Sequence, residues 1–68
     1  MSTRLDERVF RQEYEKIFRA ARGLIGSGTF PHASLGEIAY HAGMSETSIR
    51  VFFRTKEEIL AALLEGAA

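Results

Sequence analysis

The feature that most constrains this chain is the stretch at residues 34–53, SLGEIAYHAGMSETSIRVFF, which reads as helix, tight turn, helix. Leu35, Ile38, Ala39 and Ala42 recur at i, i+3, i+4 and i+7, so one face of the first segment is apolar for two turns. Ser34 with Glu37 three residues on is a capping-box pattern, which satisfies two amides that a helix start leaves without partners. Gly43 follows the last apolar position and can take a positive φ cheaply, and Ser45 is placed to cap the next helix. On that helix Ile49, Phe52 and Phe53 fall on one side, while Thr47, Arg50, Val51 and Arg54 project to the other. Two short helices joined by a glycine turn match the helix-turn-helix signature, whose second helix enters the major groove of DNA. Spacing alone leaves a second reading open, a helical corner that only packs.

The rest of the chain must supply a core for this pair, and at 68 residues it has room for one small domain. No cysteine is available for a disulfide or a thiolate metal site, which fits a reducing compartment, with the cytoplasm as default. No apolar run approaches the 18 or so residues of a spanning helix, and neither a signal peptide nor a membrane anchor is visible. Nine basic and nine acidic residues cancel, which counts against a nucleic-acid partner. Their distribution counts for one. Between Met44 and Lys56 a single acid, Glu46, faces Arg50, Arg54 and Lys56.

Taken in order, residues 1–5 carry no core pattern and are expected to fray. Phe10, Tyr14, Ile17, Phe18, Ala21, Leu24 and Ile25 then predict one long amphipathic helix over residues 6–25, with Asp6 and Glu7 suited to its start and Arg19 and Arg22 to its end. Gly26, Ser27 and Gly28 stop it. Residues 29–33 read as a short loop, in which Pro31 pushes Phe30 from helical angles and Phe30 tucks under the core. Helices are expected at 35–42 and 46–52, and Thr55 with Glu58 forms a second capping box opening a last helix at 56–66, with Ile59, Leu60, Leu63 and Leu64 as its stripe. Gly66, Ala67 and Ala68 offer no cap, so the sequence looks cut through a longer helix. Phe18, Ile38, Ile49 and Phe53 are assigned to the core.

The order Ile17-Phe18-Arg19-Ala20-Ala21, Leu24-Ile25, Gly28, then Ser34-Leu35-Gly36-Glu37-Ile38-Ala39, Ala42-Gly43-Met44-Ser45 and Phe53-Arg54-Thr55-Lys56-Glu57-Glu58-Ile59-Leu60 resembles the tetracycline-repressor-like (TetR) family over about residues 15–64. The resemblance implies an all-α fold, a three-helix bundle with a homeodomain-like helix-turn-helix and the start of a fourth, connecting helix. It divides the chain into residues 1–9 (frayed segment and helix start), 10–54 (DNA-binding domain) and 55–68 (start of the connecting helix). It also implies a ligand-binding and dimerising domain absent from this chain. Family members usually repress transcription from a palindromic operator, as homodimers, and release it when a small molecule binds.

Carried over by position, the resemblance makes residues 46–53 the recognition helix. Glu46, Thr47, Arg50 and Val51 would face base edges or nearby sugar and phosphate, Ser48 and Lys56 would hold phosphates, and Ser34 and Leu35 would contact the backbone from the start of the preceding helix. Three residues depart from the family pattern: Arg50 where tyrosine is usual, Phe52 where tyrosine or histidine often reaches a phosphate, and Gly36 where a polar residue often touches DNA. Arg50 matches guanine O6 and N7 as well as a phosphate, and Val51 suits a thymine methyl. His32 and His41 have no second ligand or base beside them and read as solvated. No nucleophile, paired carboxylate or phosphate loop stands at usable spacing, so an enzyme is disfavoured, and no cofactor or metal is expected. The rival function is a protein-interaction head that kept the fold and abandoned DNA, which neutral charge, Gly36 and Phe52 favour.

Overall fold

The structure, a computed structural model, describes residues 3–66, with side chains described for residues 7–66. Four helices follow one another: α1 (Thr3–Gly26), α2 (Leu35–Ala42), α3 (Glu46–Phe52) and α4 (Lys56–Leu64), with one 3-10 turn (Phe30–His32) between α1 and α2. Among the described residues there is no strand.

α1 begins at Thr3, earlier than the expected residue 6. Helix propagation needs only the absence of a breaker, and neither glycine nor proline stands before Gly23, so the turn before the apolar stripe stays helical. The part of the fraying expectation that concerns residues 1–2 lies outside the described residues. At the other end, Gly28 takes φ 80°, its N–H donates to the Ile25 carbonyl at 3.1 Å, and the Thr29 N–H donates to the Leu24 carbonyl at 3.0 Å. This pair of bonds is the Schellman closure, and only glycine enters that φ without strain. Because the helix runs to Gly26, its last turn holds no basic residue, and Arg22 lies one turn too early to serve its end.

Residues 29–33 are not an open loop. Phe30 opens a turn of 3-10 helix with Pro31 near its start, where the missing N–H costs nothing. Phe30 itself is buried, as the sequence predicts. The Ser34–Glu37 capping box is complete: Glu37 N–H donates to Ser34 Oγ at 3.1 Å, and Ser34 N–H donates to Glu37 Oε1 at 2.8 Å. Gly43 closes α2 at φ 77°, and Ser45 Oγ accepts from Ser48 N–H at 3.0 Å to open α3. The expected second box is only half formed. Glu58 N–H donates to Thr55 Oγ1 at 3.3 Å, but the Glu58 carboxylate reaches one residue further back and accepts from Arg54 N–H at 2.7 Å. α4 ends at Leu64 rather than residue 66, because Gly66 adopts φ 74° and donates to the Leu63 carbonyl; Ala67 and Ala68 lie outside the described residues.

The core is centred on one isoleucine from each helix: Ile17, Ile38, Ile49 and Ile59 are fully buried in one cluster. Phe18 and Phe53 are also buried, so all four residues assigned to the core are found there. An aromatic seam runs beside it, in which Phe52 meets Phe10 at 5.6 Å and Tyr14 at 4.9 Å, both edge-on, and Phe53 meets Tyr14 and Phe18. Edge-to-face pairs of this kind contribute about 0.5–1.5 kcal/mol each beyond area burial. The stripes are less complete at their ends. Phe10, Tyr14 and Ile25 stay partly in water, and Leu64 is 80% exposed, on the last turn of α4 beyond the reach of α1.

Candidate nucleic-acid interface

The residues expected to touch DNA sit on α3 and on the ends of its neighbours. Glu46, Thr47, Ser48, Arg50 and Val51 are all exposed on α3, and Val51 keeps 70% of its surface in water. This follows from the burial of Ile49 and the partial burial of Phe52, which turn the opposite side of the helix outward. α3 ends at Phe52, as the helix expected over 46–52 does, so the last residue of the recognition segment 46–53 lies past the helix. Phe53 is extended, at φ −142°, because leaving the helix carries its ring into the seam with Tyr14 and Phe18.

Each exposed group has a distinct local state. Ser45 Oγ donates to Ser48 Oγ at 3.0 Å while accepting from Ser48 N–H, which leaves the Ser48 hydroxyl proton available to a ligand. Arg50 Nη2 donates to Glu46 Oε2 at 2.7 Å, an i, i+4 ion pair with both side chains about half exposed. Ser34 is exposed as the N-cap of α2, and Leu35 is half-buried at its first position, where helix geometry leaves the first amides pointing out of the helix.

Two placements, those of Lys56 and Gly36, were not legible in the sequence. Lys56 does not stand free for a phosphate: its ammonium donates to the carbonyls of Phe30, Pro31 and Ala33 at 2.9, 2.8 and 2.8 Å and lies 5.4 Å from the centre of the Phe30 ring. Three donors on three acceptors complete the ammonium's capacity. The acceptors are 23 to 26 residues distant in sequence, so no local spacing points to them. Phe52, in place of a phosphate-reaching tyrosine or histidine, lies on the packed side of α3 that helical spacing predicts and joins the aromatic seam. Gly36 lies under Glu46: a Cβ at residue 36 would stand 2.8 Å from Glu46 Oε1. Tyr40 is 81% exposed one turn further along α2 from Gly36, off the apolar face, a position that helical spacing alone could have singled out.

The charge of this face is therefore smaller than its composition suggests. Glu46 offsets Arg50, and the Lys56 charge is held among carbonyls, which leaves Arg54, exposed and in no ion pair among the described residues, as the unopposed cation beside α3. His32 and His41 are both exposed, and His41 stacks edge-on with Tyr40 at 5.8 Å. Among the described residues no helix is long and apolar enough to cross a membrane.

The family model described as bacterial regulatory proteins, tetR family, matches residues 17–63, more than half of the chain and all of α2, α3 and the turn between them. Among curated proteins and solved structures none matches.

Proposed function

Since this chain belongs to the tetR family of bacterial regulatory proteins and carries its DNA-binding helix-turn-helix domain, we propose that it is a sequence-specific repressor that inserts α3 into the major groove of a palindromic operator. The observation that carries this reading is the exposed face Glu46, Thr47, Arg50, Val51 on a helix whose other face is locked into the core by Ile49. Thr47 and Val51 would meet base edges from the first two turns. Ser48, with its free hydroxyl proton, and the Ser34–Leu35 start of α2 would hold phosphates on either side. Lys56 takes a different part from the one the family pattern suggests: it fixes the 3-10 turn against α4, so that Ser34 is presented in register with α3.

Two copies, joined through a C-terminal domain that binds a small-molecule effector, would place their α3 helices in successive major grooves, with half-sites separated by whole helical turns. A cytoplasmic location goes with this role. Fluorescence anisotropy of a labelled duplex titrated with the chain at several salt concentrations tests the reading. Binding should weaken as salt rises, with a slope of about 0.9 in log–log units per phosphate contact. Absence of binding at low salt, or binding indifferent to salt, would favour the protein-interaction head instead, for which the half-exposed Val9 and Phe10 on α1 offer an apolar surface.

A further inference from the structure

Resting on that reading, the geometry points to Gly36 and Glu46 as positioning residues for Arg50, holding its guanidinium so that it reads a guanine base and not a backbone phosphate. Glu46 Oε2 accepts from Arg50 Nη2 at 2.7 Å, while its other oxygen, Oε1, occupies the space over Gly36 in the first turn of α2. A Cβ at residue 36 would meet Oε1 at 2.8 Å and the carboxylate carbon at 3.3 Å, closer than ordinary contact allows. The bare backbone of Gly36 is thus what permits the carboxylate to lie where it does. The Glu46 carboxylate then lies between the first turn of α2 and the guanidinium it pairs with.

Two physical consequences separate base from phosphate. Glu46 is one turn N-terminal to Arg50, so the pair draws the guanidinium toward the leading end of α3, the end from which recognition helices contact base edges. A phosphate oxygen approaching the same guanidinium would also approach the Glu46 carboxylate and be repelled. Guanine O6 and N7 are acceptors without net charge and meet a smaller penalty. The guanidinium has further N–H donors beyond the one engaged by Glu46, enough for a bidentate contact.

Selection of bound duplexes from a randomised pool by the chain, followed by sequencing, tests this. The parent should enrich guanine at one fixed position, and Arg50→Ala should abolish that enrichment. Gly36→Ala should flatten it by about fivefold or more, the range of a lost bidentate pair. It should do so with the helical spectrum retained and a melting midpoint no lower than the parent's, because the displaced group is the far end of a flexible side chain and alanine is the better helix former. Glu46→Gln, which keeps the size and loses the charge, should flatten it as well. In a Glu46→Ala background, adding Gly36→Ala should change nothing further. Retention of the parental guanine preference by folded Gly36→Ala or Glu46→Gln overturns the inference, as does an independent effect of Gly36→Ala in the double variant. A parent that enriches no sequence at all overturns the DNA-reading proposal itself, and this inference with it.

Discussion

The Lys56 ammonium lies 2.8 Å from the carbonyl oxygen of Ala33, so the first residue of α4 is tied to the residue that precedes the N-cap of α2. With its bonds to Phe30 and Pro31, the same ammonium gathers three carbonyls that the 3-10 turn leaves pointing one way. A turn of this length has no intrinsic stability, and the lysine supplies the charge that orients it.

Lys56→Met should therefore act on stability. Loss of the ammonium leaves three carbonyls without their charged donor, two of them partly buried, at a cost of about 1–3 kcal/mol. In a domain of this size each kcal/mol lowers the melting midpoint by about 4–8 °C. Lys56→Arg should recover only part, since a planar fork cannot converge on three acceptors as an ammonium does. Calorimetry on the three proteins checks this; an unchanged midpoint for Lys56→Met would return the lysine to solvent.

Glycines of α1 and of the turn after α2 should respond with opposite sign. Gly43 holds φ 77° and donates to the Tyr40 carbonyl, so Gly43→Ala forces a side chain into the left-handed region at about 1–2 kcal/mol. Gly23 lies inside α1, and a Cβ there would meet nothing within 4 Å, so Gly23→Ala should stabilise by about 0.5–1 kcal/mol. Urea denaturation resolves both, and a destabilised Gly23→Ala would mean that the outer face of α1 is covered.

In the core, Ile38→Ala removes one of the four central isoleucines and should cost about 2–5 kcal/mol, a large share of the stability of so small a domain. Leu64→Ala, at a residue 80% exposed, should fall within about 0.5 kcal/mol of the parent. Equal losses at the two positions would contradict the packing of α4.

Helix number, order and caps were legible because they rest on short-range chemistry: Ser34 with Glu37, Ser45 with Ser48, and Gly43 each act within one turn of sequence. The misplaced features are those in which a competing neighbour or the packing of separate helices decides. Thr55 and Glu58 have the spacing of a capping box, yet Glu58 bonds to Arg54 N–H instead. Leu64 has the spacing of a core residue, yet it is exposed, with no helix over it among the described residues. The same division runs through the candidate interface. The outward face of α3 follows from helical period alone, whereas the engagement of Lys56 with Phe30, Pro31 and Ala33, and the fit of Glu46 over Gly36, depend on how separate helices meet.

Val51 gives the sharpest check of which face reads sequence, because it is apolar, 70% exposed and adjacent to Arg50 on α3. Its removal changes no charge and no hydrogen bond, so Val51→Ala should leave both the melting midpoint and the salt dependence of DNA binding at parental values. What it should change is discrimination. If the valine rests on a thymine methyl, its loss relaxes preference at one base pair of each half-site by about 1 kcal/mol or somewhat more, while binding to unrelated duplex is unaltered. Arg54→Ala is the complementary case. As an exposed cation in no described ion pair, Arg54 should contribute to every duplex alike, and its loss should lower the salt slope by about one without altering sequence preference. Isotherms on a selected and a scrambled duplex at several salt concentrations separate the two patterns. If Val51→Ala weakens both duplexes equally, or Arg54→Ala weakens only one, the outward face of α3 does not divide its labour between base and backbone in this way.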